Sequence, residues 1–434
     1  METQVFRIRD ICEIKSGKRL PAGADFSVEP TQYRYIRARD IKAGRISLDD
    51  VAYIDRQTKG RISKYIINSG DIAITIVANI GDIGFATQDC DGINLTENAV
   101  RLTNFNNRVV YSKYLAYYLG QPSMKIYMEN LAAGAAQAKL GIYKIERIKV
   151  LLPDLSVQKS IVDIIEKYDS LIEVNNKRIK VLEQMAENLY KEWFVRFRFP
   201  GHETATFENG RFGRTPSSFS VIKMQDAFDY NIGGGWGNDY EDKDYPVEAY
   251  VIRGTDFPRV SSGDVSSCPL RYHKKNNYDA RELRADDIVL EVSGGTAEQP
   301  VGRTLLVTDE ALEQLGGKAI CASFCKQIRV KKDIISPLYF YYWMQFLYET
   351  RIIDRFQLQS TGIINFQFDY FLRKGEILLP PKEIMESFDA AVRPLHKQIG
   401  IIAKQNANLI KQRDLLLPRL MSGKLEVCKN GEGA

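Results

Sequence analysis

At 434 residues with 44% hydrophobic content, the chain is long enough for two or three domains, each with its own core, and disorder is not its expected state. Its longest apolar runs, such as Asp71-Ile-Ala-Ile-Thr-Ile-Val-Ala78, fall far short of the roughly 20 residues that cross a bilayer, and Met1-Glu-Thr-Gln4 lacks a signal-peptide profile, so a cytoplasmic protein with no membrane attachment is expected. A net charge of +5 permits nucleic-acid binding without requiring it, and six scattered cysteines (Cys12, Cys90, Cys268, Cys321, Cys325, Cys428) lack the paired spacing or nearby histidine of a zinc site.

In chain order, residues 1–153 read as a mixed α+β globule. Short β-type segments (Ile72 to Val77, Val100 to Leu102) are separated by Gly and Asn turns. A Tyr-rich helical stretch follows, Tyr111-Ser-Lys-Tyr-Leu-Ala-Tyr-Tyr118, whose aromatics at this spacing suit a core better than a base-stacking platform. After Leu152-Pro153 the pattern changes to a long helix, residues 154–197, with seam positions at alternating four- and three-residue steps: Ile161, Ile165, Tyr168, Ile172, Asn175, Ile179, Leu182, Ala186, Leu189 and Trp193.

From residue 198 the chain is written a second time. Tyr35-Ile-Arg-Ala-Arg-Asp40 recurs as Val251-Ile-Arg-Gly-Thr-Asp256, and Gly70-Asp71-Ile72 as Asp286-Asp287-Ile288, both at an offset of 216. The second globule, 198–378, again has β-type segments (Ile288 to Val292, Gln327 to Val330) and an aromatic helical stretch, Pro337 to Trp343. Leu379-Pro380 then repeats Leu152-Pro153 at an offset of 227, as insertions in the second copy would produce. Carrying that offset along the first seam gives Phe388, Val392, Leu395, Ile399, Ile402, Asn406, Leu409, Arg413, Leu416 and Leu420, a second spacer helix within 379–425 followed by a tail, 426–434. Pro394 lies inside it and is expected to kink it or delay its start.

The 33 residues from Ile161 to Trp193 make a rod of about 50 Å, at about 1.5 Å per residue, comparable to about fifteen base pairs of B-DNA. Pairing the two helices antiparallel with their seam ends aligned sets Ile161 against Leu420 and Asn175 against Asn406. The two asparagines then share a layer, where they would hydrogen-bond and fix the register; the alternative is that one of them faces solvent at a fraying seam.

Two globules, each followed by a matching long helix, resemble the layout of the specificity subunits of type I restriction-modification systems. Leu151-Leu-Pro-Asp-Leu-Ser-Val-Gln158 looks like that family's start of the central spacer, and Leu189-Tyr-Lys-Glu-Trp-Phe-Val-Arg-Phe-Arg-Phe-Pro200 like its end. Gln412-Arg-Asp-Leu-Leu-Leu-Pro-Arg-Leu-Met-Ser-Gly-Lys-Leu425 is similar to its C-terminal signature. The sequence departs from the pattern at Met385, which stands where the first copy has Gln158, so a helix-start contact made by that glutamine is not expected in the second half. The resemblance implies an α+β fold with two target-recognition domains separated by two long helices that pair as an antiparallel coiled coil. It implies a non-catalytic protein that binds double-stranded DNA, two modification subunits and two restriction subunits. It places S-adenosylmethionine, ATP and Mg²⁺ on those partners and no cofactor or metal on this chain. The competing reading is a coiled-coil DNA-binding regulator or scaffold with two half-site readers and no link to modification.

Motifs for catalysis are missing from the sequence. There is no Gly-x-x-x-x-Gly-Lys-Ser/Thr phosphate loop, and no Asn-Pro-Pro-aromatic or Asp-Pro-Pro-aromatic segment for a flipped adenine. His202, His273 and His396 have no neighbouring motif. Asp286-Asp-Ile-Val-Leu-Glu291 could hold Mg²⁺ in a nuclease, but it lacks the following lysine, and Thr75 stands in the first copy where Glu291 stands in the second. DNA reading calls for cations on phosphates and Arg, Lys, Asn or Gln on base edges. In the first half, Lys18, Arg19, Arg37, Arg39, Arg61 and Lys64 are the candidates; in the second, Trp236, Asn238, Arg253, Lys274 and Lys275. Ser16-Gly17-Lys18 and Gly233-Gly-Gly235 occupy comparable places, and glycine there would let backbone approach the duplex. Ala132 to Lys139 and Gln359 to Ile363 are either DNA-facing loops or plain capping turns.

Overall fold

The computed structural model describes residues 2–133, 138–295, 299–360 and 363–425. The tail 426–434 with Cys428, and parts of the loops Ala132 to Lys139 and Gln359 to Ile363, lie outside the described residues. The chain divides into two compact units, one formed by Met1–Ser170 with Ile410–Ala434 and the other by Leu171–Leu409. Two long helices, Leu155–Tyr190 and Lys382–Met421, contribute to both.

The first unit is built on the antiparallel row Glu13–Ser16, Ala99–Thr103, Ile72–Thr75 and Ile83–Phe85. Ile72–Thr75 and Ala99–Thr103 are buried at every position, which their β-branched and small residues permit. A second sheet sets Arg34–Ile36 parallel to Ile93–Leu95 and antiparallel to Ala52–Tyr53. The strand Gln4–Arg7 pairs with Lys149–Leu152 and so brings the beginning of the globule to the start of the long helix.

The second unit repeats this wiring. Phe228–Gly233, Cys325–Val330, Ile288–Glu291 and Thr304–Leu306 form the antiparallel row, while Val247–Ile252 runs parallel to Ala319–Cys321 and antiparallel to Leu270–His273. Ser220–Lys223 pairs with Glu376–Leu379 before the second long helix. The duplication also reaches single backbone angles: Gly70 has φ +86° and Asp286, at the matching turn, φ +73°. The aspartate that follows each turn is buried and paired with an arginine on the adjacent strand of the sheet, Asp71 with Arg101 and Asp287 with Arg329, both at 2.7 Å.

The Tyr-rich stretches are core. Tyr114 and Leu115 are buried in the first unit, and Tyr339, Phe340, Tyr341 and Tyr342 in the second. The aromatic end of the first spacer has the same cause: Tyr190 and Phe194 pack on Tyr339 and Phe388, with ring centroids 4.7 to 6.2 Å apart.

Within each unit the long helices run antiparallel, because rising numbers on one meet falling numbers on the other. In the first unit, Ile161 and Ile165 share a core with Leu416 and Leu420, and Arg413 binds Asp169 at 2.7 Å. In the second, Ile179 and Leu182 pack with Ile399, Ile402 and Ala403, and Trp193 lies 5.9 Å from Phe388. Buried Ile172 and Val392 and half-buried Leu395 lie along the same stretches, as does half-buried Leu409 at the unit's edge. Asn175 donates to Asn406 Oδ1 at 2.9 Å, and Asn406 donates to Asn176 Oδ1 at 2.8 Å. The expected delay at Pro394 does not occur: the helix begins at Lys382 and continues through that residue, where seam neighbours Val392 and Leu395 are packed into the core on either side.

The Gln158 contact and its loss in the second half are both visible. Gln158 is wholly buried, accepts from the backbone N–H of Tyr111 at 2.9 Å, and donates to the carbonyls of Val109 and Pro153 at 2.8 Å. It thereby ties the start of the Tyr-rich helix to the long helix. Met385 instead joins the apolar core, and the tie moves one turn along: Ser336, which caps the aromatic helix, donates to Asp389 at 2.5 Å.

Candidate nucleic-acid interface

The glycine loops explain themselves first. A Cβ on Gly17 would collide with the carbonyl oxygens of Thr96 and Leu95, and a Cβ on Gly234 with those of Ala322 and Cys321. The hydrogen bonds match as well: Gly17 N–H to Ala99 O and Lys18 N–H to Leu95 O in the first copy, Gly234 N–H to Cys325 O and Gly235 N–H to Cys321 O in the second, at 2.8 to 3.1 Å. The shared role of these glycines is therefore close approach to a neighbouring strand of their own domain, which corrects the expectation that they make room for DNA. Because Gly17 and Gly234 superimpose in role, Arg19 and Trp236 occupy the same place in the two copies.

Beside each loop stands a short helix, Arg56–Arg61 in the first copy and Lys275–Arg281 in the second. Lys18 reaches over the Tyr65 ring, with Nζ 5.6 Å from its centroid, and Tyr35 donates to the Lys18 carbonyl at 2.7 Å. Arg281 donates to the Gly233 carbonyl at 2.9 Å. The fold thus brings Lys18, Arg19, Arg61 and Lys64 into one neighbourhood, and Trp236, Asn238, Lys274 and Lys275 into its counterpart. Arg61, Lys64 and Lys275 are exposed with no ion pair among the described residues, and Arg19 is exposed with Glu97 at 3.3 Å. Lys274 lies over Tyr245 at 5.3 Å, and Asn238 exchanges backbone hydrogen bonds with Tyr272 while its amide reaches Asp242 at 3.3 Å.

Arg37 and Arg253 are placed differently. Each precedes a single 3₁₀ turn, and its guanidinium binds the aspartate three residues on: Arg37 to Asp40 at 3.3 Å, Arg253 to Asp256 at 2.9 Å. Arg37 also donates to the Asp50 carbonyl and Arg253 to that of Ser267. Burial opposes ionisation of Asp256, but the hydrogen bonds from Arg253 outweigh it and hold the carboxyl below its usual range. The repeated Ile-Arg-x-x-Asp motif is therefore a turn clasp whose partly exposed arginines are ion-paired within their own domain. Arg39, beside the first clasp, binds Asp50 at 2.5 Å.

The acidic run 286–291 is likewise neutralised from within. Asp286 binds Lys332 and Arg393, Asp287 binds Arg329 and Gln327, and Glu291 binds Arg303 in a two-bonded fork at 2.7 and 2.8 Å. No group of three or more metal-ligating side chains is found among the described residues. Arg271 stands three residues before Lys274 in the chain. In the fold its guanidinium lies 4.6 Å from the Trp236 ring centroid and also pairs with Asp239. Nothing in the linear spacing of Trp236 and Arg271 signals that contact.

The family described as the type I restriction modification DNA specificity domain matches residues 1–184. Across 98% of this chain and 93% of its own length, the MjaVIII specificity subunit of Methanocaldococcus jannaschii is 23% identical. Residues 1–184 thus match a DNA specificity domain, and over nearly its whole length the chain is similar to type I restriction-modification specificity subunits. The HindI specificity subunit of Haemophilus influenzae is 22% identical over 84% of this chain and 88% of its own. The crystal structure of the type I restriction-modification S subunit from M. genitalium shares the fold, with a TM-score of 0.52 at 12% identity over 97% of this chain and 96% of that one. The neighbourhoods around Gly17 and Gly234 lie on two copies of one fold, and the first copy falls within the matched DNA specificity domain. No helix among the described residues is long and apolar enough to cross a membrane.

Proposed function

We propose that this chain chooses the DNA sequence for a type I restriction-modification complex, each half reading one part of a bipartite, asymmetric target. The observation that carries this reading is the duplicated fold presenting two equivalent neighbourhoods with unlike side chains, Lys18 and Arg19 in one and Gly235 and Trp236 in the other. Equal scaffolds position two readers, and different side chains give them different half-sites. Arg19, Arg61, Lys64 and Lys275 supply exposed charge for phosphates, and Asn238 a polar side chain for base edges.

In this proposal the chain itself performs no bond chemistry. Two modification subunits using S-adenosylmethionine methylate adenine, and two restriction subunits using ATP and Mg²⁺ translocate and cut, in the cytoplasm. The first long helix offers a docking stripe for the modification subunits: Leu171, Val174, Val181 and Met185 follow at steps of three, seven and four residues off the seam, each more than half exposed. The test is co-purification with the products of neighbouring genes, followed by mapping of methylated adenines with and without the gene. A two-part motif that vanishes on deletion is the expected result. A solitary protein with no effect on methylation would return the chain to the regulator or scaffold reading.

A further inference from the structure

Trp236 is held in an unusual way for an exposed aromatic. On its N-terminal side, Gly234 and Gly235 are hydrogen-bonded to the Cys325 and Cys321 carbonyls at 2.9 Å. On its C-terminal side, Gly237 has φ +75°, and a Cβ there would come within 2.5 Å of Tyr272 O and 2.6 Å of His273 Cε1. Asn238 and Tyr272 then exchange backbone hydrogen bonds at 2.8 and 3.0 Å. The loop is clamped before and after the indole, so the ring has little freedom to swing.

One face of that ring is also taken. The Arg271 guanidinium stacks 4.6 Å from the ring centroid, its own side chain largely buried and its Nε without a hydrogen-bond partner. The indole nevertheless remains 40% exposed. A side chain that wedges between base pairs needs both faces free and room to advance, and this one has neither. What it presents is a rigid apolar edge and one face. In duplex DNA the apolar feature displayed on base edges is the thymine 5-methyl group, in the major groove.

On the reading that this half binds DNA, we propose that Trp236 is a specificity-determining residue, packing against a thymine methyl group in the half-site of the second domain, with Arg271 as the positioning residue behind it. The matching place in the first domain holds Arg19, whose chemistry suits a base or phosphate acceptor instead, so the preference for thymine belongs to the second half-site alone.

The test uses the chain assembled with its modification subunits and duplexes carrying the target mapped in the host. Each thymine is replaced singly by deoxyuridine, which removes only the methyl group. One buried methyl, worth about 0.8 kcal/mol, predicts about a four-fold loss of affinity at one position of one half-site. In Trp236→Ala that position becomes indifferent to the methyl group, while the other half-site is read as before. Should the variant not assemble, 5-iododeoxyuridine at the sensitive position of the wild-type complex is expected to photocrosslink to Trp236. A half-site without a methyl-sensitive position, sensitivity that survives in an assembled Trp236→Ala complex, or crosslinking elsewhere overturns the proposal, while intact sequence-specific methylation leaves the reading of the chain as a specificity subunit standing. A complex that methylates no two-part target refutes both.

Discussion

Replacing the asparagine layer of the paired helices by leucine tests whether a single polar contact sets their register. Asn175 and Asn406 are almost wholly buried, and one hydrogen bond of 2.9 Å joins them. In Asn175→Leu, the Asn406 carbonyl oxygen loses its donor; in Asn406→Leu, the Asn175 amide loses its acceptor, whereas exposed Asn176 turns to water. An orphaned buried polar group costs about 1–3 kcal/mol, and a newly buried leucine returns about 1.5–3 kcal/mol, so each single variant lies near neutral. The double variant orphans nothing and gains both leucines, and is therefore expected to exceed the sum of the single effects by the two orphan costs, about 2–6 kcal/mol. The stabilised helices should at the same time lose the layer that disfavours alternative pairings. Amide hydrogen exchange resolved to residues 171–190 and 395–409 reads the local free energy without requiring the whole chain to unfold in one step. Additive single effects, with coupling under about 0.5 kcal/mol, would show that the asparagines do not depend on one another and refute the register argument.

Three further outcomes follow from the fold. Gly17→Ala and Gly234→Ala force a Cβ into backbone carbonyls, and each should destabilise its own unit by about 1–3 kcal/mol or more in urea titrations, with the other unit's transition unmoved. Asp71→Ala strands the buried Arg101 at a cost of roughly 3–5 kcal/mol, and Asp287→Ala should cost less, because half-buried Arg329 reaches water and Gln327 keeps its bond to the Glu282 carbonyl; thermal melts of the paired variants give the order. Burial, with Arg393 nearby, pushes the His396 imidazole down to about 4, where its Nε2 lies 2.8 Å from the Tyr342 hydroxyl. The unfolded chain therefore binds more protons than the folded one between about pH 6.5 and 4, so this group's contribution, on the order of 3 kcal/mol, is present above pH 6.5 and lost as pH falls through that window. Buried His273 acts in the same sense, whereas Glu183 and Asp389, raised by burial, act oppositely. The quantity to measure is thus the difference between wild type and His396→Gln across pH 7 to 4.5, and a difference that does not change with pH would contradict the assignment.

The duplication, the two heptad runs and the pairing of Asn175 with Asn406 could be read from the chain because they are periodic or local: a seven-residue repeat and a fixed offset survive in one dimension. The same holds for Gln158 and Met385, whose difference in polarity forecasts that a tie made by one is missing at the other. What one dimension could not carry was the meaning of residues whose partners lie on other strands. Arg37 and Arg253 look like free DNA-reading cations until Asp40, Asp256 and two distant carbonyls are seen to hold them. Gly17 and Gly234 look like room for a ligand until Thr96 and Ala322 fill that room. Pro394 looks like a helix breaker until the packed seam on either side of it is counted against one missing hydrogen bond. Trp236 and Arg271 meet only because a clamped loop folds back on a neighbouring strand. Sequence by itself determined the helices, their register and the twofold repetition, since these follow from local periodicity; the tertiary structure decided which charges and glycines are engaged inside each domain and which stay exposed, since that depends on contacts between strands far apart in the chain.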